Sequence, residues 1–231
     1  MKPTPKIFVF DNSDDAIEFA VEIVGREIKK KKNLVLGISS GSTMIPLYKK
    51  FAEAYKRKKI SLSNVKIFNV DEYFPISKKN KKSFYYFLDK NFFSRVNLKN
   101  KNINFLDGES ESWTDECRNY ERKIKSAGGI DLAILGLGIN GHIALNEPGS
   151  PKKSETRLIN LSADTIKYNF GASGNKKGIP RQALTVGIST ILNSKKIIVL
   201  AFGRKKKNAL KKTLGGKISI DVPASFLRLH N

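Results

Sequence analysis

The stretch DLAILGLGINGHIALNEPG, residues Asp131–Gly149, decides the fold of this chain. It opens as an apolar run of strand length, breaks at three glycines, and then presents Asn140, His142 and Glu147 within eight residues. A buried strand that ends in a glycine-rich turn places such polar groups at the carboxyl edge of a sheet, where open α/β sheets bind their ligands. We therefore expect the candidate site at this edge.

Similar apolar runs recur along the chain, and segments with helical spacing lie between several of them. The predicted strands are Lys6–Phe10, Asn33–Ile38, Val65–Val70, Asp131–Gly138, Arg157–Leu161 and Lys196–Gly203. The predicted helices are Ser13–Lys32 capped by Ser13, Met44–Lys58, Ser83–Phe93, and Thr114–Ser126 with Thr114 as a cap. This alternation predicts an α/β fold: a mostly parallel, open, Rossmann-like sheet flanked by helices on both faces.

Length and composition favour one domain covering residues 1–231, since a chain of 231 residues can bury a single sizeable core. No run of 18 apolar residues is present to span a bilayer, and the first residues do not resemble a signal peptide. The single cysteine, Cys117, excludes an internal disulfide and fits a reducing compartment. We expect a cytoplasmic protein that does not interact with membranes, with a mobile surface loop at Ala172–Lys177.

The formal net charge of +22 raises the question of nucleic-acid binding. Only nine of the 43 basic residues are arginines, and the lysines are scattered in short clusters. Proteins that recognise base sequence favour arginine, whose guanidinium group makes two parallel hydrogen bonds to a base. Proteins that bind single strands have aromatic residues among their basic residues. The pattern therefore favours a solvated lysine-rich surface and no nucleic-acid partner, with a positive field that draws in phosphorylated substrates.

A small, hydroxylated loop follows the strand NLVLGI and leads into a helix. A loop of this kind presents free backbone N–H groups and the positive end of the helix dipole, which suits a phosphate. A plain turn with a helix cap explains it about as well, and the Gly-Lys-Ser/Thr ending of a Walker motif is missing. The candidate phosphate-binding residues are Ser39, Ser40, Gly41, Ser42 and Thr43.

Asp71 follows the strand VKIFNV, where Asp71–Tyr73 is expected to begin a loop. Burial at the end of a strand raises the pKa of a carboxyl group toward neutrality, which suits a general base. The alternative is a loop acid that caps a neighbouring backbone amide.

The glycines of the opening stretch match the dinucleotide pattern G-x-G-x-x-G between Gly136 and Gly141. That fingerprint requires a helix to start at the glycines. Breakers within ten residues, Pro148 and Pro151 among them, leave no room for a typical crossover helix, which disfavours dinucleotide binding. The glycines, Gly138 among them, instead allow the backbone to approach a small ligand toward which His142 and Glu147 project. A purely structural histidine is the alternative for His142.

The last candidate strand is followed by four cations, Arg204–Lys207, that open a helix. Cations oppose the dipole at a helix N-terminus. The cluster is explained if one of them reaches an anion bound at a neighbouring strand end, and a basic surface patch is the alternative.

Four motifs together resemble the glucosamine-6-phosphate deaminases, within the superfamily of sugar-phosphate isomerases/deaminases and 6-phosphogluconolactonases. They are FNVDEY (68–73), GHIALNEPG (141–149), ALTVGISTIL (183–192) and DVPASFLRLH (221–230). The resemblance extends from about residue 33 to residue 231, and the HIALNEPG tail is similar to deaminases rather than lactonases.

The resemblance implies conversion of glucosamine 6-phosphate to fructose 6-phosphate and ammonia, without a metal or organic cofactor. It implies that His142 opens the sugar ring, that Glu147 and Asn140 orient its imidazole, and that Asp71 moves the C2 proton to C1. It also implies that Ser40–Thr43 and Lys206 bind the phosphate.

Two positions depart from the family pattern. Many deaminases carry aspartate where this chain has Asn140. The family usually contacts the phosphate with an arginine from the segment after Asn169, but that segment here, FGASGNKKG (170–178), contains no arginine; Lys167, Lys176 or Lys177 could supply point charges instead. A 6-phosphogluconolactonase-like hydrolase and a non-catalytic sugar-phosphate sensor are the alternatives. The resemblance is compatible with a monomer or a homo-oligomer.

Overall fold

The computed structural model describes residues 5–171 and 178–230. Its main feature is a five-stranded sheet in which every neighbouring pair is parallel, in the order β4-β2-β1-β5-β8. These strands are β1 (Val35–Ile38), β2 (Lys66–Asn69), β4 (Ile103–Asn104), β5 (Leu132–Gly136) and β8 (Ile197–Leu200). The prediction of a mostly parallel α/β sheet is confirmed.

The strand order reverses direction between β1 and β5. From β1 the chain moves outward through β2 to β4, and then returns to β5 on the other side of β1. The loops that leave β1 and β5 therefore diverge and open a crevice at the carboxyl edge, which is the usual ligand site of such sheets.

A second, antiparallel sheet was not predicted. It has the order β3-β7-β6, with β3 at Asp71–Phe74, β6 at Arg157–Asn160 and β7 at Gln182–Thr185. The expectation that Asp71–Tyr73 begins a loop is therefore wrong. Asp71 pairs with Thr185, a partner 114 residues away, which no local pattern reveals.

Seven helices are seen in the described ranges, and their ends follow local capping. They are α1 (Ser13–Lys30), α2 (Ile45–Lys56), α3 (Phe84–Asn91), α4 (Trp113–Ser126), α5 (Ala163–Phe170), α6 (Ile188–Leu192) and α7 (Lys207–Gly215). Asn12 rather than Ser13 caps α1, and Ser112 rather than Thr114 caps α4, because these side chains accept the free N–H groups of the first turn.

Both faces of the main sheet are buried, as predicted. Along β5, Leu132 and Ile134 pack into one apolar cluster with side chains of α1 and α2. Ala133 and Leu135 point the other way, into a cluster with side chains of α4, α6 and α7. Strands buried on both faces explain why the sequence shows continuous apolar runs rather than alternation.

The predicted strand Lys6–Phe10 is wrong. The segment belongs to no strand; Ile7, Phe8 and Val9 are exposed, and Phe8 packs against Phe19 of α1. An apolar run forms a strand only where a sheet edge is within reach. The loop predicted at Ala172–Lys177 lies outside the described residues. Among residues 5–171 and 178–230, no helix has both the length and the apolar character to cross a membrane.

Candidate active site

The loop after β1 has the geometry of an anion-binding turn. Gly41 adopts φ 103°, and a 3-10 turn at Ser42–Met44 then leads into α2. Among the residues that the structure describes, no acceptor is found for the backbone N–H groups of residues 40–43. The buried hydroxyl of Ser39 also has no hydrogen-bond partner there. Such consecutive free donors at a helix start suit a phosphate.

Asp71 lies directly beside this loop. Its side chain is 4% exposed, and the Ser40 hydroxyl donates to its Oδ1 at 3.4 Å. Burial, reinforced by the charge of the adjacent Glu72, raises the pKa of the Asp71 carboxyl to about 8. A buried acid with a pKa near neutrality is suited to proton transfer.

Glu72 points away from the loop and has a different task, which sequence reasoning missed. Its carboxylate accepts the backbone N–H groups of Tyr73 (2.8 Å), Phe84 (2.8 Å) and Tyr85 (2.9 Å), which ties β3 to the start of α3. Burial nevertheless raises the pKa of Glu72 to about 7. The side chain therefore anchors β3 and tunes Asp71 electrostatically.

Gly138 packs flat against the imidazole of His142. A Cβ atom on Gly138 would lie 2.4 Å from atoms of that ring, so the position accommodates only hydrogen. Gly141 adopts φ 87°, which favours glycine, and the next helix, α5, begins only at Ala163. The helix that a dinucleotide fingerprint requires is therefore not formed here.

His142, Glu147 and Asn140 form one cluster. Glu147 Oε2 lies 3.7 Å from His142 Nδ1 and accepts a hydrogen bond from Asn140 Nδ2 at 2.7 Å, while Asn140 Oδ1 accepts the backbone N–H of His142 at 3.2 Å. Burial would raise the pKa of Glu147, but hydrogen bonds from His142, Thr165 and Asn140 outweigh it and lower the pKa to about 2. The carboxylate is therefore ionised and accepts hydrogen bonds only.

The loop after β8 repeats the turn seen after β1. Gly203 adopts φ 81°, a 3-10 turn covers Arg204–Lys206, and α7 follows. Lys206 is 8% exposed, and burial lowers the pKa of its ammonium group. Its Nζ lies 5.0 Å from the ring centroid of Tyr168, with no carboxylate partner in the described ranges.

The structure brings most of the sequence-predicted residues to the carboxyl edge of the main sheet. Ser40 contacts Asp71, and Gly138 contacts His142. The two groups are joined through adjacent strands, since the Ser39 N–H donates to the carbonyl of Ile134 in β5. Of the lysines considered for the phosphate, Lys167 is exposed on α5, and Lys176 and Lys177 lie outside the described residues.

Sequence reasoning missed the contribution of α5. Thr165 Oγ1 lies 3.5 Å from His142 Nδ1, Tyr168 covers Lys206, and Asn169 Nδ2 donates to the Tyr73 hydroxyl at 3.0 Å. The only available signal was their spacing at i, i+3 and i+4, which places them on one face of a helix.

Fold and site together define an α/β protein whose chemical groups meet at the carboxyl edge of a parallel sheet. The chain belongs to the family of glucosamine-6-phosphate isomerases/6-phosphogluconolactonase, whose model matches residues 11–231. A glucosamine-6-phosphate deaminase of Clostridium acetobutylicum is 43% identical over 226 residues, 98% of this chain and 94% of the relative. One of Thermoanaerobacter sp. strain X514 is 42% identical, over 98% of this chain and 89% of the relative.

Solved structures agree with this relationship. A monomeric glucosamine-6-phosphate deaminase superposes with a TM-score of 0.94 at 34% identity, covering 98% of this chain and 94% of that chain. A 6-phosphogluconolactonase from Thermotoga maritima superposes with a TM-score of 0.76 at 23% identity, covering 96% and 92%. The second likeness concerns the fold alone.

Proposed function

We propose that this protein is a glucosamine-6-phosphate deaminase, which converts glucosamine 6-phosphate to fructose 6-phosphate and ammonia. The observation that carries the proposal is the contact of Ser40 with Asp71, which joins a loop of free N–H donors to a buried acid with a pKa of about 8. The pairing suits a substrate that has a phosphate at one end and an acidic C–H at the other. The deaminases of similar sequence agree with it.

The phosphate binds to the loop after β1. Backbone N–H groups and hydroxyls of Ser39–Thr43 donate to its oxygens, and Lys206 supplies a cation from the parallel turn after β8. Burial makes this ammonium group costly without an anion, so a phosphate would restore its solvation. Gly138 allows the loop after β5 to approach the His142 ring closely.

His142 opens the pyranose ring. The imidazole takes the proton of the anomeric hydroxyl and delivers it to the ring oxygen as the bond between C1 and that oxygen breaks, which leaves an aldehyde at C1. Glu147 and Asn140 hold the ring and stabilise its charged form.

Asp71 then carries out the isomerisation. Its carboxylate removes the C2 proton while O1 gains a proton from solvent, which gives an enolamine. It then returns the proton to C1 while the amino nitrogen releases a proton to solvent, which produces a ketose imine. Water adds to C2 of the imine, and ammonia leaves. Each step moves protons and electron pairs only, so no metal or organic cofactor takes part in the proposal.

The remaining attributes are proposed on the same basis. We infer one domain, a cytoplasmic location, a monomer or homo-oligomer, and a phosphorylated amino sugar as the partner. Nucleic acids and membranes are not partners, and a retardation assay at physiological salt should show no shift.

The test is product formation by the purified protein. Ammonia and fructose 6-phosphate should appear in equal amounts from glucosamine 6-phosphate, while the N-acetylated sugar phosphate and 6-phosphogluconolactone serve as comparison substrates. Hydrolysis of the lactone without ammonia release would favour the lactonase alternative. Tight binding of glucosamine 6-phosphate without turnover would favour the sensor.

A further inference from the structure

The buried side of the loop after β1 is held by Tyr48 of α2. The Tyr48 side chain is 1% exposed, and its hydroxyl donates to the carbonyl of Ser39, the first residue of the loop. No other donor reaches this carbonyl within residues 5–171 and 178–230. The Tyr48 ring stacks on Phe92, with the ring centroids 4.7 Å apart and the planes at 18°, so the hydroxyl has a fixed position.

The direction of the Ser39 carbonyl fixes the direction of the next N–H group, that of Ser40. The bond between these two residues is a trans peptide, because the only cis peptide in the described ranges is Phe74–Pro75. In a planar trans peptide, the C=O and the following N–H point in opposite directions. Since the carbonyl points inward to Tyr48, the N–H of Ser40 points outward, where it begins the run of free donors at residues 40–43.

Loss of the Tyr48 hydroxyl would favour the opposite orientation of this peptide. A buried carbonyl without a donor is costly, and the Ser39 carbonyl would regain a donor from water by turning toward the crevice. The Ser39 N–H is bound to the carbonyl of Ile134, while Gly41, with φ of 103°, permits the compensating change in the backbone. The turned peptide would present the partial negative charge of a carbonyl, instead of a donor, to an anion.

We propose that Tyr48 is a positioning residue, which orients the Ser39–Ser40 peptide so that the loop after β1 presents its N–H donors to the substrate phosphate. The inference rests on the proposed function, in which this loop binds the phosphate. Burial raises the pKa of Tyr48 well above its ordinary value, so the hydroxyl keeps its proton at neutral pH. That single proton is donated to the Ser39 carbonyl, and Tyr48 therefore acts through the backbone.

Tyr48→Phe tests the inference, because phenylalanine keeps the stacked ring and removes only the hydroxyl. We expect the dissociation constant of inorganic phosphate, measured by calorimetry, to rise about 10-fold. The dissociation constant of fructose 6-phosphate should rise by the same factor, since both ligands use the loop. In steady-state kinetics KM should rise about 10-fold with kcat within about threefold, because the pairing of β3 with β7 holds Asp71 independently.

Tyr120→Phe is the matched control. Tyr120 is also fully buried, and its hydroxyl donates to the backbone carbonyls of Asn69 (2.7 Å) and Asn104 (3.1 Å), neither of which belongs to the loop. Both variants should lose thermal stability, whereas only Tyr48→Phe should lose affinity for inorganic phosphate. An unchanged phosphate affinity of Tyr48→Phe, or an equal loss in both variants, would overturn the inference.

A measurement on the wild type tests the inference even if Tyr48→Phe does not fold. Titration with inorganic phosphate should shift the amide proton resonance of Ser40 downfield in ¹H–¹⁵N correlation spectra, because that N–H gains an acceptor. A Ser40 resonance that does not move would overturn the inference. Failure of the proposed function is distinguishable, because the wild type would then bind inorganic phosphate at the loop but release no ammonia.

Discussion

At the scale of single residues, the site depends on placing one acid where water cannot solvate it. Asp71, the first residue of β3, is buried beside the β1 loop, and its neighbour Glu72 adds a negative charge that raises the pKa of Asp71 further. The same two effects make the residue reactive and costly to fold. Activity and stability should therefore respond in opposite directions to its replacement.

Asp71→Asn should abolish turnover while leaving ligand binding largely intact, because the amide keeps the shape but cannot take the C2 proton. The loss in kcat should be at least about 10²- to 10⁴-fold, measured by ammonia release, with fructose 6-phosphate binding followed by calorimetry. Asp89→Asn, at an exposed position of α3, is the matched control. Full activity of Asp71→Asn would remove this residue from the role of base.

The same substitution should stabilise the protein above about pH 5. In the folded state the pKa of Asp71 is about 8 against an ordinary value of 3.8, so the native protein holds a proton that the unfolded chain releases. Stability from this group is therefore complete below about pH 4 and is lost as the pH rises toward 8. The unfolding midpoint of Asp71→Asn should exceed that of wild type most at pH 8 and converge with it near pH 4. If the unfolding midpoints of the two proteins changed with pH in parallel, the raised pKa of Asp71 would be contradicted.

At the scale of elements, two equivalent turns flank β5. Gly41 and Gly203 both adopt positive φ, and each starts a 3-10 turn that becomes a helix. The first turn presents backbone donors and the second brings Lys206 to the site. Between them, Gly138 holds the loop after β5 against the His142 ring.

Gly138→Ala should lower kcat/KM by about 100-fold, because the new methyl group would overlap the imidazole of His142 and push the ring out of its position. Steady-state kinetics with glucosamine 6-phosphate measures the effect. Gly136→Ala, two residues earlier, is the control: its Cβ would make an ordinary 3.5 Å contact with Met44. Equal effects of the two substitutions would show that the His142 ring is not held by Gly138.

At the scale of the whole molecule, the charge of +22 gives a field that attracts anionic substrates from a distance. Ionic strength should therefore reduce kcat/KM, by about 10-fold from low to high salt, while kcat at saturation changes little. Steady-state assays of ammonia release over a series of sodium chloride concentrations measure kcat/KM and kcat. A kcat/KM that does not depend on salt would exclude steering.

The prediction of the fold from the sequence succeeded where the signal was local. The apolar runs of β1, β2, β5 and β8 and the spacing of α1, α2, α3 and α4 each depend on neighbours within one element. The run at Lys6–Phe10 failed because an apolar extended segment needs a partner strand. The same limit applied to Asp71–Phe74, whose partner β7 lies more than 100 residues away.

The sequence by itself placed Asp71, His142, Glu147 and Lys206 after three apolar runs, and the structure forms these runs as the strands β2, β5 and β8. The tertiary structure decided how these groups are tuned. Glu72 becomes a buried anchor, and Thr165 reaches His142, only because β3 and α5 pack over the crevice. Burial and hydrogen bonding depend on what surrounds a group in space, which the order of residues along the chain does not specify.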